Sequence, residues 1–253
     1  MGQQTPRLFE RLGLGPSLKR WQRALQNGEA LSAGTLRDIR QEIRGTRERL
    51  DALDAAAQSA LLSRLARLVP GEPFDWSERP APWRKAMRPR GAVEIASPFP
   101  LTGGTTLFHD ATDCNLSLRQ EPDPAPDGAP FGIVFDIYRF DGSFISLVYD
   151  LPDAALSGLS LDHYVAVHLR AERERPVEFY ARLNVQHGPN VEQLVREVDF
   201  KGEEGKAEFD LAYTRINDRR IEKAWLDLIL ESPEMTRIAI RDCVVLRAPR
   251  ADI

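Results

Sequence analysis

From about residue 105 onward, apolar and polar positions alternate with a period of two, whereas before residue 70 apolar positions recur every three to four residues. A period of two marks strands, because successive side chains point to opposite faces. Ten runs carry it: TTLFHD, NLSLRQ, FGIVFDIYRF, SFISLVYDL, YVAVHLRA, VEFYARLNVQ, LVREVDF, AEFDL, AWLDLIL and RIAIRDCVVLR. Turn-forming segments separate them, namely PDPAPDGAP, RFDGSF, LPDAALSGL, RERP, HGPN and KGEEGK. Asp141-Gly142 reads as a hairpin turn. In HGPN, Gly188 supplies positive φ, Pro189 presets the next φ and Asn190 caps the turn. The one stretch here with a helical look is NDRRIEKA at 217–224. Many short strands at this spacing predict an antiparallel β-sandwich of jelly-roll-like form.

The earlier part reads as helix. SLKRWQRALQN predicts a short helix opened by Pro16-Ser17 and stopped by Gly28, with Leu18, Trp21 and Leu25 on one face. A second helix begins after Ser32 or Thr35, either of which suits a cap. Its apolar positions are Leu36, Ile39, Ile43, Leu50, Leu53, Ala57 and Ala60, with Thr46 filling the gap. That spacing is a heptad seam, weakened at Gly45 by about 1 kcal/mol relative to Ala. Pro70-Gly71 ends it. The seam suits a helical hairpin, packing on the β domain, or a homo-oligomer through residues 32–69. Between them, GEPFDWSERPAPWRKAMRPRG has no steady period; Trp76 and Trp83 are expected to staple this segment onto the sandwich. The predicted class is α+β by segregation: a helical region at 1–69, a Pro/Trp-rich linker strap at 70–104 and a β-sandwich domain at 105–253.

Charge sharpens that division. Residues 1–100 hold 17 Lys/Arg against 11 Asp/Glu, while 101–253 hold 17 against 27. The arginine-rich helices suit an anionic surface, but the acidic remainder argues against nucleic acid as the partner of the whole chain. Cys114 and Cys243 read as small buried hydrophobes in a reducing compartment, with a bridge between early and late strands as the alternative. The start, MGQQTPRLFERLGLG, lacks the apolar run of a secretory signal, and no segment approaches the roughly 18 apolar residues of a membrane span. A cytoplasmic protein is expected.

Alternation also assigns faces. Val177, Phe179, Ala181, Leu183 and Val185 point inward; so do Val165, Val167 and Leu169, and Ala224, Leu226, Leu228 and Leu230. If those three strands share a sheet, its outer face carries Tyr164, His168, Arg170, Tyr180, Arg182, Asn184, Trp225 and Asp227. Aromatic rings beside amide, guanidinium and carboxylate groups are what sugar recognition uses: the ring stacks on the C–H face of a pyranose and the forked groups bind vicinal hydroxyls. The same face would equally suit burial beneath the strap or the helices. His187 and Asn190, at a loop tip, complete the candidate ligand-binding set: Tyr180, Arg182, Asn184, His187, Asn190, Trp225 and Asp227.

No Gly-x-Ser-x-Gly, Walker loop, His-Glu-x-x-His or Cys-x-x-Cys occurs. His109, His163, His168 and His187 are scattered over different elements. Glycoside cleavage needs two carboxyls at a set separation, and Asp136, Asp150, Asp153, Asp210, Asp227 and Asp242 are available in number. Asp110 and Asp242 suit structural calcium through oxygen ligation; no other cofactor is expected.

The stretches FDGSFISLVYDLP, ARLNVQHGPN, EFDLAY and WLDLILESPEMTRIAIRDCVVLR, with LRDIRQEIRGTRERLDALDAAAQSALLSRL earlier, resemble a domain-of-unknown-function family of alphaproteobacterial proteins of this length. The closing segment, a W-x-D strand, a Pro-containing turn and a final I-x-I-R-D strand, is similar to that of galactose-binding-like jelly rolls. That resemblance implies carbohydrate binding without catalysis and often a structural calcium. The leading expectation is a non-catalytic, carbohydrate-binding-like sandwich. The alternatives are an assembly protein oligomerising through its helices, as in a phage-like spike or scaffold, and a glycan-active enzyme.

Overall fold

The computed structural model describes residues 15–26, 31–64, 74–123 and 128–250. Gly28 and Pro70-Gly71, read as helix stops, and the middle of PDPAPDGAP lie outside the described residues. Helices form at Gly15–Gln26 and Ala33–Arg64. Ser32 caps the second: its hydroxyl accepts the Thr35 N–H at 3.1 Å, satisfying one of the orphan donors of the first turn. The helix runs unbroken through Gly45, where an added Cβ would meet nothing within 4 Å. The first helix touches the second at Glu42, which pairs with Arg20 and accepts from Trp21 Nε1 at 3.5 Å.

The β domain is built from β1 (Trp76–Glu78), β2 (Gly91–Val93), β3 (Phe99–Pro100), β4 (Thr105–His109), β5 (Cys114–Pro122), β6 (Phe131–Phe140) and β7 (Phe144–Asp150). It continues with β8 (His163–Arg173), β9 (Phe179–His187), β10 (Asn190–Glu197), β11 (Asp199–Lys201), β12 (Glu204–Asp210), β13 (Ile221–Glu231) and β14 (Thr236–Pro249). Among the described residues one sheet runs β11-β12-β8-β14-β6-β5-β2, with β1 also on β14. A six-stranded sheet runs β10-β9-β13-β7-β4-β3. Every ladder is antiparallel. The inward positions named from alternation are all buried: Phe179, Leu183, Val167, Leu169, Leu226 and Leu228 meet Leu107, Phe135, Ile137 and Ile240 in one apolar core. Each such side chain is worth about 1.5–3 kcal/mol on burial.

Three expectations need correction. Asp141-Gly142 does not make a hairpin, because β6 and β7 belong to different sheets. Gly142 is required there by a close approach: a Cβ would stand 2.4 Å from Asp110 Oδ1 and 2.6 Å from the Ala111 nitrogen. Residues 217–224 form only a 3-10 turn at Asp218–Arg220 before β13 begins. The run LVREVDF is broken at buried Val198 into β10 and β11, which lie in different sheets.

Residues 74–104 give β1, β2 and β3 to the two sheets. Along β14, β6 pairs with Thr236–Ile240, and β1 takes up the same strand at Val245–Arg247. The segment is fastened chemically as well as by its ladder. Arg79 forms a two-bonded pair with Asp242, both contacts 2.8 Å. Trp83 donates from Nε1 to the Ile240 carbonyl at 2.8 Å. Gln120 donates to the carbonyls of Pro82 and Lys85 and accepts the Met87 N–H. Arg247 holds Asp75 through two bonds of 2.9 Å.

Burial raises the Asp75 carboxyl, but hydrogen bonding and charge from Arg247, with His163 beyond it, outweigh that and hold it below the usual carboxylate range. A carboxyl depressed in the folded state stabilises fully above its unfolded value near 4, and the contribution is lost as pH falls through the folded value. Urea midpoints should therefore drop below about pH 4, and less steeply in Asp75→Asn. Superimposable pH profiles for the two proteins would refute this role.

Both cysteines are free thiols. Burial pushes the Cys243 thiol far up, so it behaves as a core hydrophobe.

Candidate functional site

Strand register assembles one face from residues far apart in sequence. On the outer side of the six-stranded sheet, Gln193, Asn184, Trp225 and Asp150 lie opposite one another across β10, β9, β13 and β7. The next layer is Val195, Arg182, Asp227, Val148 and Thr106, the last on β4. The third is Glu197, Tyr180, Ile229, Ser146 and Phe108. Tyr180, Arg182, Asn184, Trp225 and Asp227 therefore do share a surface. Tyr164, His168 and Arg170 do not: β8 belongs to the other sheet, where Arg170 pairs with Asp123.

At the centre is a compact polar cluster. Asp227, 1% exposed, accepts at Oδ2 from Arg182 Nε at 2.5 Å and from Asn184 Nδ2 at 3.1 Å. The same Asn184 nitrogen points toward the carbonyls of Arg182 at 3.3 Å and Trp225 at 3.4 Å. Its amide orientation is thereby fixed, leaving Oδ1 as an acceptor. Asn184 Oδ1 and Asp227 Oδ1 are both buried and have no hydrogen-bond partner among the described residues. A buried acceptor left unsatisfied costs about 1–3 kcal/mol.

Aromatic rings lie in the layers on either side. Trp225 is half-buried, with Lys223 Nζ 5.5 Å from its ring centroid, and Lys223 in turn pairs with Asp150 at 3.0 Å. Tyr180 donates its hydroxyl to Glu178 Oε2 at 2.9 Å. That bond, then burial and the charges of Glu178, Glu231 and Glu197, push the phenol up to about 12. Val191, Val195 and Phe108 are exposed nearby. This face is thus apolar and aromatic around a polar centre.

The outer face of the other sheet is different in kind. Arg241 grips Glu172 with two bonds of 2.8 and 2.9 Å and reaches Glu121 at 3.1 Å, while Arg119 joins Glu121 to Asp136. The bond from Arg241 comes first among the influences holding Glu172 below its ordinary value. That surface satisfies its own charges.

His187 and Asn190 stand at one end of β9 and β10, opposite each other across the turn. Gly188 between them has φ +61°, as its place in HGPN predicts. His187 is buried, and its Nδ1 accepts the Asn217 N–H at 3.3 Å, a structural contact that differs from an open loop-tip ligand. Asn190 is exposed.

Asp110 and Asp242 are occupied separately. Asp110 stitches the β4–β5 crossover to the β6–β7 crossover, accepting from Ser143 N and Oγ at 2.8 and 2.5 Å and from Phe144 N at 3.2 Å. Burial raises its carboxyl, and these bonds outweigh that to leave it below the ordinary range. Asp141 answers in the other direction, taking the N–H groups of Thr112 and Asp113. Asp242 carries Arg79 and the Cys243 N–H. Among the described residues no three His, Cys, Asp or Glu side chains come together as a metal-binding group. Nor is any described helix long and apolar enough to cross a membrane.

Sequence reasoning placed Ile229 beside Trp225 and Asp227 but missed Ser146, Val148, Asp150, Gln193, Val195 and Lys223 as neighbours on this face. Alternation marks the side of those within a run, but Gln193 and Lys223 fall outside the ten runs, and the register between runs was not accessible.

A search of curated proteins finds no match. Among solved structures, a family 11 carbohydrate-binding module from Clostridium thermocellum, in complex with a β-1,3-1,4-mixed-linked tetrasaccharide, is 10% identical with a TM-score of 0.37, covering 64% of this chain and 98% of the module. A xylan-binding domain of family 22 is 9% identical with a TM-score of 0.36, covering 73% and 99%. The enzymatically active domain of tailspike protein 4 from bacteriophage CBA120 is 9% identical with a TM-score of 0.39; the match spans 58% of this chain but only 19% of that one. A family model matches the chain from end to end: over residues 1–253 it belongs to the family of unknown function DUF6478.

Proposed function

We propose that the outer face of the six-stranded sheet is a non-catalytic carbohydrate-binding surface. The observation that carries this reading is the register that sets Trp225, the Arg182–Asp227–Asn184 cluster and Tyr180 in three successive layers of one face. An indole gives a flat apolar platform for the C–H face of a sugar ring. Beside it, the guanidinium donates in a fork while carboxylate and amide oxygens accept, which matches the mixed donor and acceptor character of vicinal hydroxyls. Arg182 is the accessible member: its side chain is 38% exposed, whereas that of Asp227 is 1%. When a sugar displaces Arg182 from Asp227, the unsatisfied oxygens beneath gain hydroxyl donors. On the outer face of the other sheet, Arg119, Arg241, Glu121, Asp136 and Glu172 are paired with one another.

A panel of immobilised oligosaccharides and cell-surface polysaccharides tests this. At least one should bind the intact protein, and Trp225→Ala should weaken it about tenfold, the equivalent of about 1.4 kcal/mol of lost stacking and apolar contact. Arg182→Ala should also weaken it, while Tyr138→Ala, exposed on the opposite sheet, should not. The reading fails if no glycan binds, or if binding is indifferent to Trp225 and Arg182.

A further inference from the structure

We infer that the helix Ala33–Arg64 is a docking surface for a second copy of this chain, paired parallel and in register. Among the described residues this helix carries four exposed apolar side chains: Leu36, Ile43, Leu50 and Leu53 are 38%, 42%, 39% and 52% exposed. Scattered apolar residues on a surface are ordinary, but these are not scattered. Leu36, Ile43 and Leu50 are seven residues apart, and Ile39, Thr46 and Leu53 repeat the same interval three residues on. Two interleaved seven-residue repeats make a seam of period 3.5, which stays in contact with a like helix only by a gentle left-handed supercoil. A groove in an unrelated partner would not require that repeat.

The flanking charges choose the direction. With Leu36, Ile43 and Leu50 in one row and Ile39, Thr46 and Leu53 in the other, Arg40 and Arg47 border the seam on one side and Glu42 and Arg49 on the other. In a parallel, in-register pair the border residue at 42 faces the border residue at 47 of the other copy, an attraction of Glu42 for Arg47 made twice. An antiparallel pair that set Leu36 opposite Leu53 would bring Arg40 against Arg47 twice and Glu42 against Arg49 twice, so that repulsion offsets attraction. Glu42 also holds Arg20 of its own chain, so the cross-pair is shared between two arginines rather than exclusive. Thr46 interrupts the apolar row at mid-length, where a polar pair meets itself only in register.

Sedimentation equilibrium or light scattering on the full chain reads the first part. The expected mass is twice 28.5 kDa. Leu50→Asp and Ile43→Asp, each separately, should raise the dissociation constant at least about tenfold. Both side chains are exposed within one chain, so the sandwich should keep its near-ultraviolet circular dichroism and its urea midpoint. A single-chain mass at every concentration overturns the proposal, and so does a dimer that survives both substitutions. Leu53→Cys in a Cys114→Ser background reads the direction. In the parallel pair the two introduced thiols are adjacent and should cross-link on oxidation. In the antiparallel pair they lie about 25 Å apart at 1.5 Å per residue. A dimer that fails to cross-link at this position overturns the parallel register.

Discussion

Trp83→Ala is expected to destabilise the sandwich by about 3–5 kcal/mol, a large fraction of the 5–15 kcal/mol that typically holds a domain folded. Trp83 sits in a four-residue helical turn, Ala81–Arg84, outside the ten strand-like runs of the sequence, yet it is 2% exposed and among the largest fully buried side chains. Truncation would empty an indole-sized space against the core and orphan the Ile240 carbonyl, its partner at 2.8 Å. Those two losses have different sizes. Trp83→Phe keeps most of the volume but removes the donor, and should cost about 1–2 kcal/mol, near the value of one buried hydrogen bond. Urea denaturation followed by circular dichroism checks both. If the strap were merely laid over a finished sandwich, Trp83→Ala would cost less than about 1 kcal/mol.

The second large effect is expected at Asp242. Arg79 is 4% exposed, and both oxygens of Asp242 lie 2.8 Å from its guanidinium. Removing one member of a buried pair leaves the other charge uncompensated, which costs about 3–5 kcal/mol. Asp242→Ala should therefore lower the urea midpoint strongly. Arg79→Met combined with Asp242→Leu should recover much of the loss, because the penalty belongs to the stranded guanidinium rather than to the absent bond. Addition of calcium or of a chelator should leave the midpoint of the unsubstituted protein unchanged, since its Asp242 carboxylate is committed to Arg79 and to the Cys243 N–H. A midpoint shift with calcium in the unsubstituted protein that vanishes in Asp242→Ala would reverse that assignment.

Alternation was the informative signal in the sequence because it is local. Phe179, Ala181, Leu183 and Val185 declare their face without reference to any other strand, and the structure buries all four. Pairing is not local, and there the reading failed in instructive ways. Asp141-Gly142 has the composition of a tight hairpin, yet its two strands enter different sheets; the glycine answers to Asp110, which lies some thirty residues earlier and needs the space a Cβ would fill. Tyr164, His168 and Arg170 alternate as well as Tyr180 and Arg182 do, and only the ladder of β8 with β12 and β14 moves them to the opposite sheet. The strap strands escaped notice because Trp76–Glu78, Gly91–Val93 and Phe99–Pro100 are two or three residues long, too short for any period. Of the candidate site, Trp225, Arg182, Asn184, Asp227 and Tyr180 were legible as outward polar or aromatic positions. That Asp227 and Asn184 are almost wholly buried followed from neighbours such as Val148 and Gln193, whose positions no single strand reveals.

The fastening of the strap to β14 sets the order in which the chain can fold. Arg247 reaches Asp75 across 172 residues, Arg79 reaches Asp242 across 163, and Trp83 reaches Ile240 across 157. None of these bonds forms until nearly the whole sandwich sequence lies between its ends, and each closes a loop whose entropy must be lost first. During synthesis the strap emerges early, and the Trp83 indole N–H has no Ile240 carbonyl to meet until β14 follows. A chain halted before β14 would therefore keep the bonds of Gln120 to the strap but lack those of Asp75, Arg79 and Trp83, a recognisable mark of an unfinished molecule.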